Sequence, residues 1–173
     1  MACTSKLFLL LVAMFLGFIA FVSGDATLIN NVCGKSGNPV YCHKCFNMYS
    51  RSSNEDVKAL GRTSLDCSSL QSINVMGLVD KLVVNTTDRA LKNAYIDCEL
   101  KLSSGDQRIN SALKSWQNAR YVDSGNQMLA AQQAVGDCIA RLQKIKLSLP
   151  PVNELRTLHG FCGAAIGVLK QIH

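Results

Sequence analysis

Residues 91–116 read LKNAYIDCELKLSSGDQRINSALKSW, and residues 128–149 read MLAAQQAVGDCIARLQKIKLSL. In the first stretch apolar or small side chains fall at Leu91, Tyr95, Cys98, Leu102, Gly105, Ile109, Ala112 and Trp116, in strict steps of four and three. In the second, Met128, Ala131, Val135, Cys138, Leu142, Ile145 and Leu149 alternate in the same way. That alternation draws one apolar seam along a helix, the pattern of near-parallel packing in bundles and coiled coils. Leu155, Leu158, Cys162, Ala165, Leu169 and Ile172 repeat it. Val57, Leu60, Ser64, Cys67, Gln71, Val75, Leu78 and Leu82 form a fourth stripe with two polar interruptions. No comparable period-two stretch exists. The fold class is therefore all-α, an antiparallel up-and-down four-helix bundle.

The helix ends follow from local chemistry. Ser53, Asn54, Glu55 and Asp56 supply cap and first-turn residues for the first bundle helix. Thr86 or Thr87 can cap the second. Asn118-Ala119-Arg120 marks the turn between the second and third. Pro150-Pro151 ends the third, since proline cannot continue the backbone ladder, and Asn153 with Glu154 can open the fourth. Residues 25–51 precede the bundle and read as two or three short helices bent at Gly34, Gly37 and Pro39, an N-terminal helical hairpin extension.

Position 118 is equidistant from Cys98 and Cys138. If the second and third helices form an antiparallel hairpin, both cysteines stand at one height, about 30 Å from the turn at about 1.5 Å per residue. Facing seam positions come close enough for a bridge. Closing that loop is worth about 3–4 kcal/mol. Two buried free thiols are the alternative.

Residues 1–24 read as a cleaved secretory signal: Lys6, an apolar run from Leu7 to Val22, and small residues at Ser23 and Gly24. The run is shorter than the roughly 20 residues of a membrane span. Cleavage leaves residues 25–173, the hairpin over 25–51 and the bundle over 52–173. Secretion implies an oxidising compartment. Cys3 leaves with the signal, so seven cysteines remain, an odd count that fits three bridges and a leftover thiol, or an intermolecular pair. Cys33 and Cys42 enclose eight turn-rich residues, as in a hairpin pinned at its open end. Cys42-His43-Lys44-Cys45 also has redox CxxC spacing, although no strand precedes it. Zinc would need more ligands than His43, His159 and His173 offer. By elimination Cys45 is left to reach Cys67, and Cys162 is the leftover thiol, read as a buried, inert small hydrophobe. Asn85-Thr86-Thr87 is the one glycosylation sequon, at a helix junction that exposes it.

These residues together resemble the plant invertase and pectin methylesterase inhibitor family, across essentially the whole chain after the signal. The resemblance rests on three features: Cys33 and Cys42 separated by eight residues; Ala90-Leu91 followed by five residues and Asp97-Cys98; and the small-residue helix from Ala130 to Asp137-Cys138. It implies pairs Cys33–Cys42 and Cys98–Cys138 and a secreted, extracellular or vacuolar protein. It further implies one-to-one binding that blocks the cleft of a carbohydrate-active enzyme. The chain stops at His173, which fits the free-standing form. Leu102 stands where an aromatic is usual and Gly105 where alanine is. Cys45 and Cys67 are additions to the four-cysteine core.

No G-x-S-x-G elbow, phosphate loop or H-E-x-x-H occurs, so no catalytic role, cofactor or metal is expected. His159 beside the fourth seam reads as structural. Asp97 and Asp137 could form a carboxylate pair, but read as helix-surface charges. Gly163 to Gly167 has G-x-x-x-G spacing and reads as close helix packing. The expected role is inhibition of a plant pectin methylesterase. The alternatives are an invertase inhibitor or a secreted non-catalytic binding or carrier protein. The candidate contact surfaces are the hairpin around Pro39 to Tyr49 and the exposed faces of the first two bundle helices. A net charge of +6 suits weak association with anionic pectin. Nothing in the chain calls for nucleic acid, nor for a membrane once the signal is removed.

Overall fold

The computed structural model describes residues 26–49, 56–145 and 150–172. The expected signal, the residues Ser53 to Glu55, Leu149 and His173 lie outside the described residues, as does the expected hairpin–bundle boundary. Six helices and no strand occur among the described residues. A short helix α1 covers residues 26–34, and α2 covers Pro39–Asn47. Four helices follow: α3, Val57–Asn85; α4, Arg89–Gln117; α5, Tyr121–Gln143; and α6, Pro150–Leu169.

The α3–α6 helices form an antiparallel ring in which each packs on its sequence neighbours and α6 closes back on α3. Short connections, such as the three residues Asn118 to Arg120, force the up-and-down order. The core holds Leu65, Val75 and Val79 from α3, Tyr95, Leu102 and Ile109 from α4, Met128, Val135 and Leu142 from α5, and Leu155, Leu158 and Leu169 from α6. The four-three seams of α4 and α6 are buried almost throughout.

Three helix ends differ from the sequence reading. Asp88, not Thr86 or Thr87, caps α4: its carboxylate accepts from the Leu91 N–H at 2.8 Å. Thr86 closes α3 instead, donating its N–H to the Leu82 carbonyl. Helix α5 stops at Gln143, with Lys144 and Ile145 in a turn. The two prolines begin α6 rather than end α5. At a helix start proline's missing N–H costs nothing and its fixed φ is already helical. Asp56 caps α3 by accepting from the Ala59 N–H at 2.8 Å.

The interrupted stripe of α3 has a physical cause. Ser64, Ser68, Gln71 and Ser72 are buried, and each has a partner. Ser64 and Ser68 hydroxyls donate to the carbonyls of Gly61 and Ser64. Gln71 donates to Glu154 on α6 at 2.8 Å, and Ser72 to Asp106 on α4 at 2.9 Å. Buried polar groups are tolerated when paired, so α3 recognises its neighbours through hydrogen bonds as well as packing. Val79, not Leu78, takes the core position near its end.

The α1–α2 hairpin builds a second apolar cluster against the flank of α3 and α6. Ile29, Val32 and Phe46 meet Leu60, Phe161, Ala164 and Val168 there. Gly37, at φ +73°, makes the turn between the two short helices. Gly160 and Gly167 of α6 face the hairpin: a Cβ on Gly160 would enter the Tyr41 ring, and one on Gly167 would meet the Ser36 backbone. Of the G-x-x-x-G pair, Gly167 admits the hairpin, whereas a Cβ on Gly163 would first meet Gln132 of α5 and then Asn38. Asn38 donates to the Gly160 carbonyl at 3.4 Å, and Gln171 to the Val32 carbonyl at 3.0 Å.

Candidate interaction surface

The cysteines set the frame of the surface. Cys33 is bonded to Cys42, tying α1 to α2, with Cα atoms 5.4 Å apart. Cys45 is bonded to Cys67, tying α2 to α3, at 5.8 Å. Cys98 is bonded to Cys138, tying α4 to α5, at 4.6 Å. Cys42 and Cys45 are one helical turn apart and engage different partners. The CxxC therefore forms no redox pair. Among the described residues no group of three or more His, Cys, Asp or Glu side chains converges on a metal site. Cys162 is buried without a bridge. Burial pushes its thiol up to about 12, against a weaker opposing pull from the Ser68 hydroxyl. It stays a neutral thiol at physiological pH, without the thiolate that makes a cysteine reactive.

Asp97 and Asp137 do not face each other as a carboxylate pair. Asp97 accepts from Arg141 at 2.9 Å, and Asp137 lies 3.6 Å from Lys101. Both pairs cross between α4 and α5, one on either side of the buried Cys98–Cys138 bridge. All four side chains are about half exposed, so each pair is worth about 0–1 kcal/mol. Their role is to hold register, and they border a shallow groove of about 400 Å³ with Leu100 and Lys144. The signal was present in the sequence: Asp precedes each cysteine, and a cation follows each Asp by four residues. Only the antiparallel register shows that the pairing runs across the helices rather than along them.

His159 sits between α6 and α5, partly buried, and that burial lowers its pKa below the usual histidine value. Its backbone carbonyl accepts from Gln132. His43 lies on α2, a different element, and no nucleophile–base–orienter set is formed among the described side chains. Tyr95 is buried at the core, which raises its phenol.

The exposed large apolar side chains are the features best suited to a partner. Val40 and Met48 project from the hairpin. Leu70, Ile73 and Val84 stand on the outer face of α3, at spacings of three and eleven, which place them on one side of the helix. Ile96 and Leu100 stand four apart on the outer face of α4. These positions fall on the hairpin and on the first two bundle helices. The sequence reading omitted a further apolar strip on α5, Val122 and Leu129, beside Ile166 and Ile172 along a groove of about 380 Å³. Its steps of seven residues lie off the seam, and a heptad spacing of exposed apolar residues was the available clue.

Comparison with known proteins bears on this surface. The profile of the family described as plant invertase/pectin methylesterase inhibitor matches residues 27–166. A pectinesterase inhibitor of Actinidia deliciosa is 27% identical over 141 residues, covering 79% of this chain and 76% of that one. Pectinesterase inhibitor 1 of Arabidopsis thaliana is 24% identical over 172 residues, covering 98% and 92%. Among solved structures, a mutant form of a pectin methylesterase inhibitor from Arabidopsis superposes with a TM-score of 0.75 at 20% identity, over 84% of this chain and 97% of that one. A second inhibitor structure from Arabidopsis thaliana gives 0.66 at 20% identity, over 86% and 98%. At these identities the structural likeness speaks to the fold.

Proposed function

Since the chain belongs to the plant invertase/pectin methylesterase inhibitor family, we propose that it is a secreted protein that binds a plant pectin methylesterase one-to-one and covers its active-site cleft. The observation that carries this reading is the family match over nearly the whole folded region, with both relatives described above named as pectinesterase inhibitors. The surface agrees with it: large apolar side chains are displayed on the hairpin and on the outer faces of α3 and α4.

The mechanism is pre-organised occlusion. Association costs translational freedom and the ordering of loops and side chains. Two bridges tie α1, α2 and α3 together, a third ties α4 to α5, and packing of α3 on α4 joins the two sets before contact. Little backbone then has to order when the enzyme is met. The hairpin and the outer faces of α3 and α4 carry Val40, Met48, Leu70, Ile73, Ile96 and Leu100, the side chains that would bury area on docking. A stable one-to-one complex needs about 800 Å² from each partner, within reach of two 29-residue helices side by side.

Secretion rests on the apolar leader in residues 1–24. Among the described residues no helix is long and apolar enough to cross a membrane. A net charge of +6, or +5 once Lys6 leaves with the leader, would hold the protein near anionic pectin, screened by salt.

The test is a titration of the purified protein against a plant pectin methylesterase and an acid invertase, at mildly acidic and neutral pH. Methylesterase activity is expected to fall to baseline near one equivalent, with invertase untouched. An unaffected methylesterase at excess inhibitor would refute the assignment, and loss of invertase activity alone would move the target to that enzyme.

A further inference from the structure

The end of the bundle where α3 gives way to α4 carries chemistry that occlusion of an enzyme does not use. Asn85 is the last residue of α3. Thr86 leaves the helix in an extended conformation, φ −87° and ψ 123°. The Asn85 and Thr87 side chains are both exposed. Asn85-Thr86-Thr87 is the sole N-x-S/T acceptor in the chain, and no proline follows it to block transfer. Beside it, Val84 is 76% exposed, a bulky apolar side chain at a helix end left open by the described residues.

We propose that Asn85 carries an N-linked oligosaccharide, and that this sugar takes the α3–α4 end of the bundle out of the target-binding surface. The second half rests on the inhibitor reading above; the first does not. In the transfer the Asn85 amide nitrogen attacks the anomeric carbon of a lipid-pyrophosphate-linked oligosaccharide. The carbon–nitrogen bond forms and the carbon–oxygen bond to pyrophosphate breaks. The lipid pyrophosphate departs, and the amide proton passes to a base of the transferase. A hydrated sugar then stands over Val84, a position where bare apolar surface invites association.

Distances along the helices say what stays open. At about 1.5 Å per residue, Ile73 is about 18 Å from Asn85, and Cys67, where the hairpin is tied on, is about 27 Å away. The turn at Asn118 to Arg120 is about 43 Å away, the length of α4. A sugar on Asn85 therefore shields one end and leaves the hairpin, Leu70 and Ile73 accessible. It divides the exposed apolar side chains into a covered one, Val84, and a reachable set nearer the hairpin.

The whole chain, leader included, is expressed in plant leaf cells and recovered from the extracellular fluid, alongside Asn85→Gln and Thr87→Ala. Intact mass is read before and after a peptide-N-glycosidase. The wild type is expected to be heavier than its polypeptide by one oligosaccharide, to lose that mass on digestion with Asn85 converted to aspartate, and to lack it in both variants. A wild type with unmodified Asn85, whether recovered outside the cell or retained inside, overturns the modification. Glycosylated wild type and Asn85→Gln are expected to inhibit the methylesterase alike, within about twofold; a change of about tenfold in either direction overturns the placement of that end outside the contact. If no form inhibits, the second half falls with the enzyme reading, and mass still decides the first.

Discussion

Gly167 is the tightest point between the hairpin and the bundle. A methyl group there would run into the Ser36 backbone, which cannot rotate aside as a side chain would. Ser36 is itself buried and held, its hydroxyl donating to the Cys33 carbonyl at 2.8 Å. Elsewhere a helical glycine is a liability of about 0.5–1 kcal/mol relative to alanine. At this position the sign reverses, because relief requires the hairpin to move off α6. Gly167→Ala is expected to destabilise the protein by about 1–3 kcal/mol, the usual cost of overpacking. Chemical denaturation checks it, and equal or higher stability would show that Ser36 is not pressed on α6. The sequence marked Gly163 and Gly167 as a close-approach pair, but not what approaches. The contact joins residues 131 apart in the chain, and no local pattern encodes it.

At the scale of the element, α4 shows what a sequence can and cannot specify. Its seam and that of α5 were legible because nearly every inward position is apolar or small. The register of Cys98 against Cys138 followed from the turn between them. The α3 stripe was harder to read because Ser64, Ser68, Gln71 and Ser72 are buried, the first two satisfied by carbonyls of α3 itself and the last two by partners on α6 and α4. The ends were least legible. Two threonines and an aspartate compete to cap α4, and Asp88 wins by placing its carboxylate on the Leu91 N–H. Proline can end one helix or begin another, and residue type alone does not choose. The C-terminus of α4 adds a further case. The Arg120 N–H reaches the Ser115 carbonyl and the Ala119 N–H the Trp116 carbonyl, each at 2.9 Å, the paired bonds of a Schellman cap. This cap needs a left-handed residue at position 119, where the chain has Ala119 at φ 56°. A side chain there costs about 1–2 kcal/mol. Glycine removes that strain but gives the unfolded chain more freedom to lose. Ala119→Gly is therefore expected to stabilise the protein by about 0.5–1 kcal/mol. Its denaturation midpoint should rise at unchanged slope; a fall would mean that α4 does not depend on this cap.

At the scale of the molecule, the described residues build two apolar clusters, one inside the bundle and one beneath the hairpin. Among the described residues, only α3 and α6 contribute to both. The Cys45–Cys67 bridge is the covalent tie between α2 and α3, and it lies in the second cluster. It closes a loop between residues 22 apart, which in the chain-entropy account is worth about 3–4 kcal/mol. In that account the bond acts by limiting the freedom of the unfolded chain between the hairpin and the bundle. Without the bond the hairpin keeps Phe46 against the bundle, the edge-on contact of Tyr41 with Phe161, and the Asn38 and Gln171 hydrogen bonds. The bundle keeps its own core and the Cys98–Cys138 bridge. The stabilisation lost should therefore be distributed unevenly. In a Cys45→Ser, Cys67→Ser double variant, hydrogen exchange over residues 26–49 is expected to quicken by about a hundredfold or more, as local opening takes up most of the loss. Exchange over residues 89–143 should change far less. A uniform acceleration along the chain would show that hairpin and bundle open as one cooperative unit. The rigid display of Val40 and Met48 would then depend on the whole core rather than on one bond.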